Sequence, residues 1–298
     1  MRTSRFSAFV TLGVLLVSLA VAVPVQAQRG GGPGGFGGAG GGGGRGGFGG
    51  GGRGFGGAPQ AARDAAQVDL TGYWVALVTE DWLWRMITAP RGDATSVPLA
   101  FPAQQAAAQW DPAQDVANGE ACRPFGAAGL MRMPVRLHIT WEDENTLRID
   151  TDAGQQTRLL HFGNSATPGA ERSWQGFTQA SWTVPTGGFD LRAVISGQTA
   201  APRTGPPMGS IKAVTTNMRS GYLRKNGIPY SENAVLTEYF SRVEGFGNDY
   251  LTVLTIVNDP ASLSSEFVIS SQFKREPDDS KWNPTPCQTA PPLAEGRR

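Results

Sequence analysis

From Asp69 onward the chain is dominated by apolar and polar residues alternating with a period of two, the spacing of a half-buried β-strand. Leu70 to Thr79 sets Tyr73, Val75 and Leu77 against Trp74, Ala76 and Val78, and reads as the first strand. Trp82 to Ile87 reads as its continuation after a bend at Glu80-Asp81. The pattern then breaks over Pro102 to Ala117, which is rich in alanine and glutamine. Asp111-Pro112 inside that stretch matches an N-cap followed by proline at the first helical position, so two short helices are expected there. Alternation resumes as a meander: Arg136 to Glu142, Thr146 to Asp152, Gln155 to Phe162 and Ser173 to Trp182. Val184 to Gly209 is Gly/Pro-rich, with Phe189 to Ile195 its one regular stretch. Ser210 to Asn217, Ala234 to Arg242, Tyr250 to Asn258 and Glu266 to Arg275 complete the set.

No long amphipathic helix separates these segments, so antiparallel neighbours are expected. The fold class is mainly β: a meander of about eight to ten strands closing into a barrel, with a short helical insert.

The register of the meander brings candidate chemistry together. With Glu142 opposite Thr146, Ile139 faces Ile149 and Trp141 faces Leu147. One face then carries Leu137, Ile139, Trp141, Leu147, Ile149, Leu160 and Phe162. The other carries His138, Thr140, Glu142, Arg148, Asp150, Thr157 and His161. His138 lies opposite Asp150, a spacing at which a carboxylate orients an imidazole. If this face lines the barrel interior, His138 is a general base held by Asp150, and Arg148 is free to take an oxyanion or carboxylate. If it meets solvent, it is an ordinary outer sheet face. His138 and His161 with a carboxylate would make a strained metal site, because their strands are not adjacent; no metal or cofactor is expected.

Two further clusters suit a ligand. Glu80, Asp81, Trp82, Trp84 and Arg85 combine aromatic walls with charge at the bend, and read equally as core aromatics, Trp84 above all, beside surface charges. Tyr222, Arg224, Lys225, Tyr230 and Glu232 flank Asn226-Gly227, a tight-turn signal, and form either an ordinary hairpin with a solvated tip or a polar lip at a barrel rim. Glu238, in the strand after that turn, joins the ligand-binding candidates. The sequence has no Gly-x-Ser-x-Gly elbow, His-Glu-x-x-His motif, Walker loop or dinucleotide fingerprint, which removes the enzyme classes built on them.

Composition changes the picture mainly at the N-terminus. Arg2 and Arg5 precede an apolar run from Phe9 to Val23, Pro24 breaks it, and Val25-Gln26-Ala27 resembles a signal-peptidase site. Residues 1–27 are therefore expected to be a cleaved export signal, making the mature protein periplasmic or secreted, with no membrane insertion after cleavage. Gly30 to Gly57 is almost wholly glycine and cannot bury enough apolar surface to fold, so 28–66 reads as a tether and linker. The barrel domain is expected over 67–288 and a disordered tail over 289–298. The net charge of +1 points to no nucleic-acid partner. Cys122 and Cys287 suit a disulfide in an oxidising compartment.

Thr71-Gly72-Tyr73-Trp74 on the first strand resembles the opening Gly-x-Trp of lipocalins and other calycin-type barrels. That resemblance implies a tryptophan plugging one barrel end and an arginine of the last strand packed across it, here Arg275. Thr237-Glu238-Tyr239-Phe240, Asp259-Pro260 and Phe273-Lys274-Arg275 look like uncharacterised secreted bacterial proteins with such barrels. The expected function is a monomeric, exported barrel binding a small, largely apolar or aromatic molecule in its cavity. The alternatives are a cofactor-independent lyase, isomerase or hydratase using His138 and Asp150, and a cell-surface or matrix component.

Overall fold

The computed structural model describes residues 60–183, 209–289 and 291–293. The stretch Phe189 to Ile195, the glycine-rich segment and residues 1–27, read above as an expected export signal, lie outside them. The first strand, β1 (Gly72–Leu77), is followed by four short helices: α1 (Trp82–Met86), α2 (Phe101–Gln109), α3 (Pro112–Ala117) and α4 (Ala127–Leu130). The meander comprises β2 (Arg136–Trp141), β3 (Thr146–Thr151), β4 (Thr157–Phe162) and β5 (Phe177–Thr183). Then come β6 (Ser210–Thr216), the short β7 (Gly221–Arg224) and β8 (Ile228–Tyr230), and the long β9 (Val235–Gly245), β10 (Asn248–Asn258) and β11 (Phe267–Glu276).

Among the described residues nine strands close into a barrel in the order β1-β11-β10-β9-β6-β5-β4-β3-β2, while β7 and β8 pair as a separate hairpin. Closure leaves no free sheet edge, which disposes of the unpaired backbone that an open sheet would expose. The barrel is mixed. β4 and β5 run parallel, with Leu160 beside Thr178, which corrects the all-antiparallel expectation. The connection over 163–176 crosses to the same end without a regular helix, so helix content was a poor guide to strand direction.

The inward side chains divide the barrel in two. At the β1 N-terminal end Trp74, Leu147, Phe162, Ile211, Phe240, Leu251 and Phe273 are buried in one apolar core. Trp74 donates to Leu70 O (2.9 Å), and the Arg275 guanidinium lies 5.5 Å from its ring centre while donating to Thr71 O (3.0 Å). Gly72 makes that approach possible. A Cβ there would stand 3.1 Å from Arg275 Nη2, on a backbone with φ 114°. The Gly-x-Trp motif and the distant arginine thus form one physical unit closing this end.

The opposite end is covered by the insert. A second apolar core joins Leu236, Val257 and Phe267 of the barrel to Ala103 and Ala107 of α2, Ala127 and Ala128 of α4, and Leu223 and Ile228 of the hairpin. Asp111 caps α3 by accepting from Ala113 N (2.9 Å), with Pro112 in the first turn, as the sequence implied. The segment expected to continue β1 is instead the helix Trp82–Met86, with Ile87 extended at its end. Asp81 adopts a left-handed backbone (φ 49°) that turns the chain, and Arg85 reaches back to Leu77 O (3.2 Å) at the end of β1.

Candidate functional site

The polar face of the meander is the outer wall of the barrel. Its register is the one read from the sequence: His138 pairs with Asp150, Thr140 with Arg148 and Trp141 with Leu147. Leu137, Ile139, Ile149 and Leu160 fill the inside, so the alternate residues must point outward. There His138 stacks on Tyr73 with ring centres 4.1 Å apart, and Trp282 approaches edge-on at 6.0 Å. Asp150 is held by Arg148 Nε (2.7 Å) and by the Thr157 hydroxyl (2.5 Å). Arg148 also pairs with Glu142 (3.0 Å), and these two carboxylates hold its pKa above the usual arginine range. His161 stacks on Phe177 at 5.3 Å and shares a 3.4 Å contact with Thr146 Oγ1. The four residues conceived as an enclosed catalytic group therefore lie outside the barrel, with Asp150 and Arg148 occupied by each other. Among the described residues no three histidine, cysteine or acidic side chains gather as a metal site would require.

The interior holds a different polar group. Arg158 (β4), Thr178 (β5), Thr215 (β6), Glu238 (β9), Thr255 (β10) and Ser271 (β11) are all buried and come from six consecutive strands of the barrel. Glu238 stands opposite Thr255 on one side and Ala213 on the other. Its carboxylate takes a two-pronged bond from Arg158, 3.1 Å and 2.5 Å, and neither side chain meets solvent. Arg158 also donates to Thr215 Oγ1 (3.3 Å), which shares a 2.8 Å bond with Thr178. Among the described residues Arg158 Nε, Thr255 Oγ1 and Ser271 Oγ have no hydrogen-bond partner. Of the ligand candidates, Glu238 is thus inside the barrel but saturated by an arginine.

Above this belt, the insert and hairpin bring together residues far apart in sequence. Arg224 is buried with all three guanidinium nitrogens unpartnered, its carbon 5.4 Å from the centre of the Trp84 ring. Trp84 Nε1 donates to Asp93 (3.2 Å). Burial pushes the Arg224 pKa down to about 10; Arg132 adds to the fall, and Asp81 and Asp93 oppose it. Arg85 is buried on carbonyls of Leu77 and Arg132, and Arg132 pairs with Asp81 at 2.8 Å. Trp82 projects into solvent and Glu80 is exposed, so the acidic-aromatic segment is split between surface and interior.

The hairpin is not a solvated lip. Tyr222 donates to Asp115 (2.9 Å), which also accepts from Trp110 Nε1 (2.8 Å), and burial raises the Tyr222 pKa. Tyr230 is buried with its hydroxyl unpartnered, and burial raises its pKa too. Asn226 Nδ2 bonds Pro90 O and Asp93 O, both at 2.9 Å, fixing the turn beneath the insert.

Where the insert meets the barrel there is a cleft of about 200 Å³. Phe125, Met133, Val135 and Ala153 form apolar walls, and the C-terminal segment supplies Thr285 and Pro286. That segment is held by paired bonds, Thr285 N to Asp152 O (3.0 Å) and Gly154 N to Thr285 O (2.9 Å), and by the Cys122–Cys287 disulfide. One ionisable group reaches the cleft, Lys225. Burial pushes its pKa down to about 8, and no carboxylate offsets the effect. Among the described residues Lys225 makes no hydrogen bond or ion pair. A small, largely apolar cleft with a few polar groups at its wall, here Lys225, Thr285, Gln288 and Thr289, has the make-up of a small-molecule site.

Sequence reading placed Lys225 beside the turn but missed the cleft. Its walls come from five separated segments, and none carries a local pattern that points to the others. No family model matches the chain, and neither a curated protein nor a solved structure matches it.

Proposed function

We propose that this is an exported, calycin-like protein that holds one small, largely apolar or aromatic molecule in the cleft at the mouth of its barrel. The observation that carries this reading is a largely apolar cleft with one half-buried amine at its wall and, among the described residues, no acidic partner beside it. Such a group costs free energy where it stands, and a ligand acceptor at the end of an apolar body would offset that cost. Export is supported by the leader and by a disulfide that belongs in an oxidising compartment. The calycin-like relation is supported by the closed barrel and by Arg275 lying over Trp74. The outward position of His138 and Asp150 gives the catalytic alternative no enclosed site. The matrix alternative rests on the glycine-rich segment, outside the described residues.

Saturation-transfer NMR with benzoate and indole tests the reading. Transfer from the wild-type chain to either compound, lost in Ala153→Trp, is the expected result, since the indole ring fills the cleft. Equal transfer in both proteins, or none in either, rejects the cleft as the site.

A further inference from the structure

We propose that Lys225 is a covalent attachment point, its amine forming an imine with a small, largely apolar aldehyde seated in the cleft. This rests on the ligand-binding reading of the cleft and adds the chemical class of the ligand. The backbone on either side of Lys225 is clamped. Gly227 N donates to Arg224 O (3.2 Å), and the Asn226 side chain donates to Pro90 O and Asp93 O, so the turn that carries Lys225 is held on both sides. Phe125, Met133 and Val135 supply the apolar surroundings. Among the described residues no carboxylate stands by to hold the amine as an ammonium. With burial setting its pKa near 8, about one amine in ten is unprotonated at pH 7, against about one in three thousand at the ordinary value of 10.5.

The step balances without a co-reactant. The amine lone pair attacks the carbonyl carbon to give a carbinolamine. The carbonyl oxygen then leaves as water, taking both amine hydrogens, and the C=N bond replaces C=O. Apolar walls favour this dehydration and slow the return of water.

The full chain has four lysines, which makes the test selective: Lys212, Lys225, Lys274 and Lys281. Lys281 is exposed and pairs with Glu276 (2.8 Å). Benzaldehyde with sodium cyanoborohydride, followed by peptide mapping, reads benzylation at each. Lys225 is expected to react about ten-fold faster than the other three at pH 7, with a rate that climbs through pH 8 and levels off. Excess benzoate should slow Lys225 alone. Labelling of Lys225 no faster than the others overturns the imine. Benzoate NMR on the same sample then separates the two proposals: if benzoate still binds the cleft, only the imine fails, and if it does not, the binding reading fails as well.

Discussion

Arg158 and Glu238 are two full charges without solvent contact, joined across the barrel interior. Their mutual attraction is strong there, but so is the cost of having stripped both of water. Removing one partner should therefore be far worse than removing both. Glu238→Leu and Arg158→Met are each expected to destabilise the fold by about 3–5 kcal/mol, because each strands a buried charge, and the stranded guanidinium already has one unpartnered nitrogen. Arg158→Met with Glu238→Leu should come within about 2 kcal/mol of the wild type, or exceed it. Urea unfolding of the two singles and the double closes the cycle, and additive losses would refute the account. Half of this was legible in sequence. Glu238 falls at an inward position of a cleanly alternating strand, between Leu236 and Phe240, so a buried acid was readable. Its partner was not, since Arg158 lies 80 residues away and pairs across the interior.

At the scale of elements, alternation was the reliable signal. It gave the β2–β3 register residue by residue, because one slip would turn every core side chain outward. It failed over Trp82 to Ile87, where six residues are too few for period to separate a helix from a strand, and tertiary bonds from Arg85 decide. The Asn226-Gly227 turn was also legible, but its burial was not. Gly227 has φ 77°, and a Cβ there would lie 2.1 Å from Trp110 Cγ at the end of α2. Gly227→Ala therefore combines a left-handed backbone penalty of about 1–2 kcal/mol with a clash against a buried ring. The hairpin and insert are expected to loosen as a pair. Hydrogen exchange should quicken at Tyr222, Ile228 and α2 amides while amides of β9 and β10 keep their protection. Uniform quickening across the barrel would show that the cap is not a separable layer.

For the whole molecule, the disulfide links the insert to the C-terminal segment across 165 residues. A closed loop of that length removes much of the unfolded chain's freedom, worth about 5 kcal/mol in the loop-entropy model. The bond also positions one wall of the cleft, because Thr285 and Pro286 are held beside Ala153 only two and one residues before Cys287. Reduction should act on both counts, and the two effects should separate. The melting temperature is expected to fall steeply in Cys122→Ser/Cys287→Ser, since most of the loss lies in the unfolded state and none of the barrel's strand pairing depends on the bond. At a temperature where that variant is still folded, its barrel amides should superimpose on those of the wild type. Benzoate binding, however, should weaken about ten-fold or more, as the segment spends part of its time off the barrel and only the closed fraction can bind. Unchanged affinity alongside a lowered melting temperature would mean that the backbone bonds of Thr285 to Asp152 and Gly154 suffice to build the cleft, leaving the disulfide with a role in stability alone.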